Sequence, residues 1–144
     1  MSHTRQMLDA GRSSGVFDLD DLAAAIDACG ECVQSCTSCA GADVVEEDVA
    51  ELRRCIGLCL DCADVCAATA RVLSRQGRYD TLMVQRLLQA CVRACASSAE
   101  ECSRHAAHHR HCAVCAEVCT ACEQACRKLL EAEALEELQA LAGG

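Results

Sequence analysis

The chain has 144 residues, a net charge of -9 and a hydrophobic content of 52%, yet its only aromatic residues are Phe17 and Tyr79. That length fits one domain, and with no basic patch to neutralise phosphates a nucleic-acid partner is excluded. No apolar run approaches the roughly 20 residues of a membrane span. Met1 to Arg12 carry neither a hydrophobic signal core nor a twin-arginine pair, so the expected location is cytoplasmic, with no membrane partner.

The complete lack of proline and the alanine- and leucine-rich composition predict an all-α protein. Residues 1–17 read as an N-terminal extension, with a helical turn or more around Thr4 to Ala10 that Gly11 ends. The domain proper is expected over 18–144. Asp18 or Asp20 caps the first long helix, and Gly41 is expected to end it. Asp43 and Glu46 read as a capping box for a second helix reaching about Arg75, with Gly77 as its stop. Asp80 caps the third. Ser103 to His111 read as the third connection, which holds four of the five histidines, and the fourth helix continues past Cys126 through Leu129, Leu130, Leu135 and Leu138.

The cysteines impose the main pattern. Cys29, Cys32, Cys36 and Cys39 step 3, 4, 3; Cys55, Cys59, Cys62 and Cys66 step 4, 3, 4; Cys91, Cys95 and Cys102 step 4, 7; Cys112, Cys115, Cys119, Cys122 and Cys126 step 3, 4, 3, 4. Steps of three and four keep side chains on one stripe of an α-helix, where leucine would normally sit. Each of four helices therefore carries one thiol stripe, and together they account for all 16 cysteines. Ser98 stands at the vacant stripe position of the third helix.

An antiparallel up-down-up-down four-helix bundle brings the four stripes together. In that topology Leu22, Ile26, Ala70, Leu73, Val84, Leu88, Leu129 and Leu130 fall at one end as a hydrocarbon plug. Cys39, Cys55, Cys102, Cys112 and the histidines fall at the other end, the mouth. His105 continues the third-helix stripe and His108 lies four residues before Cys112; His111 lies four before Cys115 but about 60° off the stripe, and His109 is expected to face away. Asp48 projects toward the mouth, and Asp61 toward the surface; capping or solvation accounts for both.

A bundle that needed only packing would use leucine and alanine, so a column of thiols points to metal. In a reducing compartment that inference outweighs disulfides. Zinc favours closed tetrahedra of four ligands and iron-sulfur clusters favour loop-borne motifs. Copper(I) is soft and selects thiolate. By ligand counting, a ladder of bridging thiolates takes about one Cu(I) per thiol, and each ion then cancels one buried negative charge. The alternatives are a zinc or cadmium thiolate buffer and, from a different class, a thiol oxidoreductase; the latter needs an exposed, low-pKa thiol at a helix start, whereas these cysteines lie in helix interiors.

The repeated CxxC and CxxxC steps on four helices, together with a histidine-rich loop ending in His111-Cys112, resemble the bacterial copper storage proteins, specifically the cytosolic type, over about Asp18 to Lys128. The resemblance implies storage of many Cu(I) ions inside the bundle, without catalysis, and commonly a homotetramer. It also implies loading through the histidine end, where His105, His108 and His111 would capture Cu(I) and pass it to Cys102 and Cys112. A copper chaperone or chelator is the expected donor or acceptor.

Overall fold

A computed structural model describes the backbone of residues 2–143 and the side chains of residues 2–132. The element order is α1 (His3–Ala10), α2 (Leu19–Val44), a 3-10 turn (Val49–Leu52), α3 (Arg53–Ser74), α4 (Thr81–His105) and α5 (Arg110–Gly143). Among the described residues there is no strand.

Local signals fix the starts of two of these helices. Asp18 accepts from the backbone N–H of Asp20 and Asp21 at the head of α2, and Asp80 accepts from the N–H of Met83 at the head of α4. In the long helices apolar residues and cysteines recur on one face, and burying that face stabilises them more than propensity does. Packing runs in a ring, α2 against α3 and α5, and α4 against α3 and α5, as an up-down-up-down bundle requires.

The plug forms as its sequence predicts: Leu22, Leu73, Val84, Leu88 and Leu129 are fully or almost fully buried. α1 lies against α2 at this end, with Leu8 buried and the Gln76 side-chain amide donating to the Leu8 carbonyl at 2.6 Å. Phe17 meets Tyr79 edge to face at 5.7 Å between ring centroids, and the Tyr79 hydroxyl donates to the Leu73 carbonyl at 2.6 Å. The two aromatic residues thus close the bottom of the bundle.

Four expectations about helix ends differ from the structure, and each has a physical cause. Gly41 does not end α2, which continues through Asp43 to Val44, because Gly41 keeps negative φ; among the described residues only Gly15, at φ 77°, adopts the left-handed region. Gly77 is likewise not a left-handed stop; α3 ends as the Arg75 N–H turns back to the Val72 carbonyl. Asp43 caps nothing, since its side chain is drawn inward and α3 begins only after the 3-10 turn, whose Leu52 is fully buried. The third connection is also shorter than Ser103 to His111, because α4 continues to His105 and α5 starts at Arg110. The expected Leu135 and Leu138 contacts lie outside the residues whose side chains are described.

Candidate metal centre

Every one of the sixteen thiols is free and buried. Their sulfurs form one column along the bundle axis, roughly 20 Å long by helix rise from Cys112 to Cys126. At the plug end Cys29 lies 4.0 Å from Cys91 and 3.9 Å from Cys126, and Cys122 lies 3.7 Å from Cys29. Cys66 joins this layer to Cys95 at 3.6 Å, and Cys62 joins Cys95 at 3.8 Å to Cys32 at 3.6 Å. Cys119 then approaches Cys32 at 3.6 Å and Cys36 at 3.5 Å, while Cys115 approaches Cys36 at 3.8 Å. Toward the mouth Cys102 lies 3.6 Å from Cys59 and 3.7 Å from Cys55, and Cys39 lies 3.9 Å from Cys112.

These separations are those of ligands around a shared ion rather than of disulfides, in which sulfurs stand about 2.05 Å apart. Quartets of sulfurs lie within 4.8 Å of one another, among them Cys29, Cys66, Cys91 and Cys122; Cys32, Cys66, Cys95 and Cys122; Cys32, Cys36, Cys62 and Cys119; and Cys39, Cys59, Cys102 and Cys115. Cys32, Cys66 and Cys122 each belong to two of these four quartets. A thiol that stands in two quartets is placed to bridge two ions, and the fourth quartet, which shares none, meets the third where Cys115 lies 3.8 Å from Cys36. Ser98 occupies the missing rung, with its hydroxyl 3.5 Å from Cys119, 3.6 Å from Cys59 and 3.8 Å from Cys36.

Proton sharing follows from the crowding. Cys36, ringed by Cys115, Cys119, Cys32 and Cys59, and Cys95, ringed by Cys122, Cys32, Cys62 and Cys66, hold their protons far above the ordinary thiol range, and burial adds to this. Cys32 and Cys59 are pushed far below it, by hydrogen bonds led by those from Cys119 and Cys102 respectively. Hydrogen bonds from neighbouring thiols thus favour the thiolate at Cys32 and Cys59, while Cys36 and Cys95 keep their protons. Such a core can gather cations without first becoming a rod of bare negative charge.

The mouth is built differently. Asp43, fully buried, accepts from His111 Nε2 at 2.7 Å and from the Cys112 thiol at 3.6 Å. The Cys112 thiol is raised above its usual range by burial first and then by the negative charge of Asp43. His111, placed off the stripe by helical projection, reaches the mouth through this bond to Asp43. His109 does not face away: its ring is one-tenth exposed, 2.9 Å from the Asp48 carboxylate and 3.7 Å from Glu46, and 5.3 Å from the His111 ring. The cause is charge, since the acidic 46–48 segment crosses the mouth opposite α5. That contact also replaces the capping or solvation role expected for Asp48.

His105 Nε2 is buried without a hydrogen-bond partner, 3.9 Å from Glu101, and His108 is exposed. Asp61 is exposed, as expected. Asp43 is the residue the sequence pattern misses. Its signal is its place four residues after Cys39, on the same stripe, which the cap pattern with Glu46 obscures.

An all-helical bundle whose core is a column of sixteen buried thiols defines a class: a helical container for soft metal ions. The sequence pattern of the copper storage proteins matches residues 18–131, and the chain belongs to that family. It is 30% identical over 106 residues to the uncharacterized cysteine-rich protein YhjQ of Bacillus subtilis (strain 168), covering 74% of this chain and 93% of that protein. The copper storage protein Ccsp of Streptomyces lividans, solved with 10 copper equivalents, is 46% identical, with 90% of this chain and 98% of that one covered at a TM-score of 0.86. A second structure of the Streptomyces lividans cytosolic protein, with five coppers, is 51% identical over 78% of this chain and 93% of that one, at a TM-score of 0.76.

Proposed function

We propose that this chain is a high-capacity Cu(I) store: the sixteen cysteines, bridging neighbouring ions, hold copper inside the bundle, and His105, His108 and His111 serve the end where it is taken up. The observation that carries this reading is the sharing of thiols between adjacent quartets. Copper(I) is satisfied by two or three sulfurs and tolerates bridging thiolates, and at one ion per thiol sixteen positive charges cancel sixteen thiolates. Zinc at one ion per four thiolates supplies eight, leaving eight negative charges in a water-free core.

Dithiol exchange draws no support from the geometry. A thiolate must reach its substrate to attack it, and the sixteen sulfurs are buried. The protein is therefore read as a binding protein rather than an enzyme, acting in the cytosol as its Streptomyces lividans relative does, and assembling as a homotetramer that exchanges copper with a chaperone or chelator.

The test is an anaerobic titration of the reduced apoprotein with Cu(I) against a competing chelator, with ions counted by native mass spectrometry. Uptake near one ion per thiol is expected, in a species of four chains. Saturation near four ions per chain, with bound zinc that Cu(I) does not displace, would point instead to a divalent buffer.

A further inference from the structure

The end of the bundle away from the histidines carries a polar feature that copper storage does not use. A groove of about 610 Å³ lies between the last turn of α1 and the end of α3, and Arg12, Arg75 and Arg78 line it together with Met7 and Gln76. Its volume is that of a small-molecule site rather than of a lone ion. The walls come from two segments far apart in sequence that interlock. The Ser14 N–H donates to the Gln76 carbonyl at 3.0 Å, the Gln76 side-chain amide donates to the Leu8 carbonyl, and a Cβ on Gly11 would crowd that amide at 3.3 Å.

Charge sets this groove apart. The chain holds 22 Asp and Glu against 13 Lys and Arg, yet neither 10–17 nor 65–79 contains an acid, and no carboxylate lines the groove. Among the described residues Arg5, Arg54, Arg104, Arg127 and Lys128 each pair with a carboxylate, whereas Arg12, Arg75 and Arg78 pair with none. Arg75 directs one N–H to the Arg71 carbonyl at 3.2 Å, a helix-end contact; among the described residues no such contact holds Arg12 or Arg78. Gln76, the one buried residue of the lining, keeps its Oε1 without a hydrogen-bond partner. A buried acceptor left unpaired is costly, and a donor from a ligand removes that cost.

We propose that this groove binds a phosphate monoester that also carries hydroxyl groups, of the nucleoside or sugar phosphate kind. Guanidinium forks match phosphate oxygens, and a bound phosphate supplies the negative charge that the lining lacks. A ligand hydroxyl donates to Gln76 Oε1, which a fully ionised anion cannot do. The Met7 side chain, 68% exposed, offers an apolar wall to a base or sugar ring. Three guanidiniums on one small groove fall short of the roughly 6–10 phosphate contacts of a nucleic-acid complex, so the exclusion of that partner stands. The site is independent of copper storage, since none of its residues belongs to the thiol column or its mouth.

The experiment titrates the reduced full-length chain with adenosine 5′-monophosphate and, separately, with ribose 5-phosphate, followed by calorimetry and by backbone amide NMR shifts. Saturable binding of one ester per chain is expected, weakened by added salt, with shifts centred on residues 11–14 and 74–78. The tighter ester shows which of the two sources the groove suits. Arg12→Ala and Arg78→Ala, both at exposed positions, are each expected to weaken binding about tenfold. Arg53→Ala, which removes the same charge at the other end of α3, leaves it unchanged. Circular dichroism checks that the variants fold, and adenosine, which lacks the phosphate, gives an independent reading on the unsubstituted chain by binding at least about tenfold more weakly. No saturable binding, adenosine as tight as its phosphate, inorganic phosphate as tight as either ester, or shifts centred on the mouth overturns the site.

Discussion

Asp43 and His111 are 68 residues apart in sequence and 2.7 Å apart in space, and their contact is lopsided: the acid is fully buried while the imidazole is one-quarter exposed. Each truncation therefore leaves a different orphan. His111→Ala strands a buried carboxylate with only a thiol to bond, at a cost of about 1–3 kcal/mol. Asp43→Ala leaves an imidazole that turns to water, costing less than about 1 kcal/mol, and the double variant recovers most of the His111→Ala loss. Urea unfolding of the reduced, metal-free chain completes this cycle; an Asp43→Ala variant less stable than His111→Ala would contradict the asymmetry.

The second mouth histidine gives a pH dependence. Asp48, by its hydrogen bond and then its charge together with that of Glu46, raises His109 above the ordinary 6.5, while His109 lowers Asp48 below the ordinary 3.8. The raised histidine contributes stability that is fully present below pH 6.5 and lost as pH rises through its folded value. The lowered aspartate contributes stability present above about pH 3.8 and lost as pH falls through its own folded value. The pair is thus strongest between those limits and fades as pH rises through the raised value of His109. In an NMR titration His109 is expected to titrate above 6.5, and Asp48→Asn to move it back down; a midpoint unmoved by that variant rules out the assigned cause.

Most of this architecture was legible in the residue steps. A run such as Cys112, Cys115, Cys119, Cys122, Cys126 can form a buried seam only as a helix, and the agreement of Leu22, Leu73, Val84 and Leu129 at one end fixes the topology. What could not be read were side chains whose roles depend on another helix. Asp43 carries a good cap signal followed by Glu46, and only the approach of His111 and Cys112 from α5 turns it inward. His109, outward on an ideal helix, is drawn in by Asp48 from the α2–α3 connection, a contact across 61 positions.

The hydrocarbon plug and the thiol column have separable jobs. Leu73 is fully buried among apolar side chains and touches no part of the proposed metal path. Leu73→Ala is expected to cost about 2–5 kcal/mol through lost burial and the cavity left behind. Cu(I) capacity, measured below the lowered melting temperature, should stay at its original count. If capacity fell in step with stability, the plug would have to be part of the store.

Ser98 offers the opposite separation, a change in capacity with little change in stability. Its hydroxyl touches Cys36, Cys59 and Cys119, so a sulfur in its place would stand beside three others and complete the α4 rung missing between Cys95 and Cys102. Oxygen is a poor ligand for Cu(I) and sulfur a preferred one. A hydroxyl-to-thiol exchange adds little volume, and stability should shift by less than about 1 kcal/mol. Ser98→Cys is therefore expected to raise the Cu(I) count by about one ion per chain on the ligand-counting argument, whereas Ser98→Ala, which supplies no donor atom, leaves it unchanged. Native mass spectra of the two variants loaded side by side decide the matter: equal counts would mean that capacity is set by cavity volume or charge rather than by the number of sulfurs.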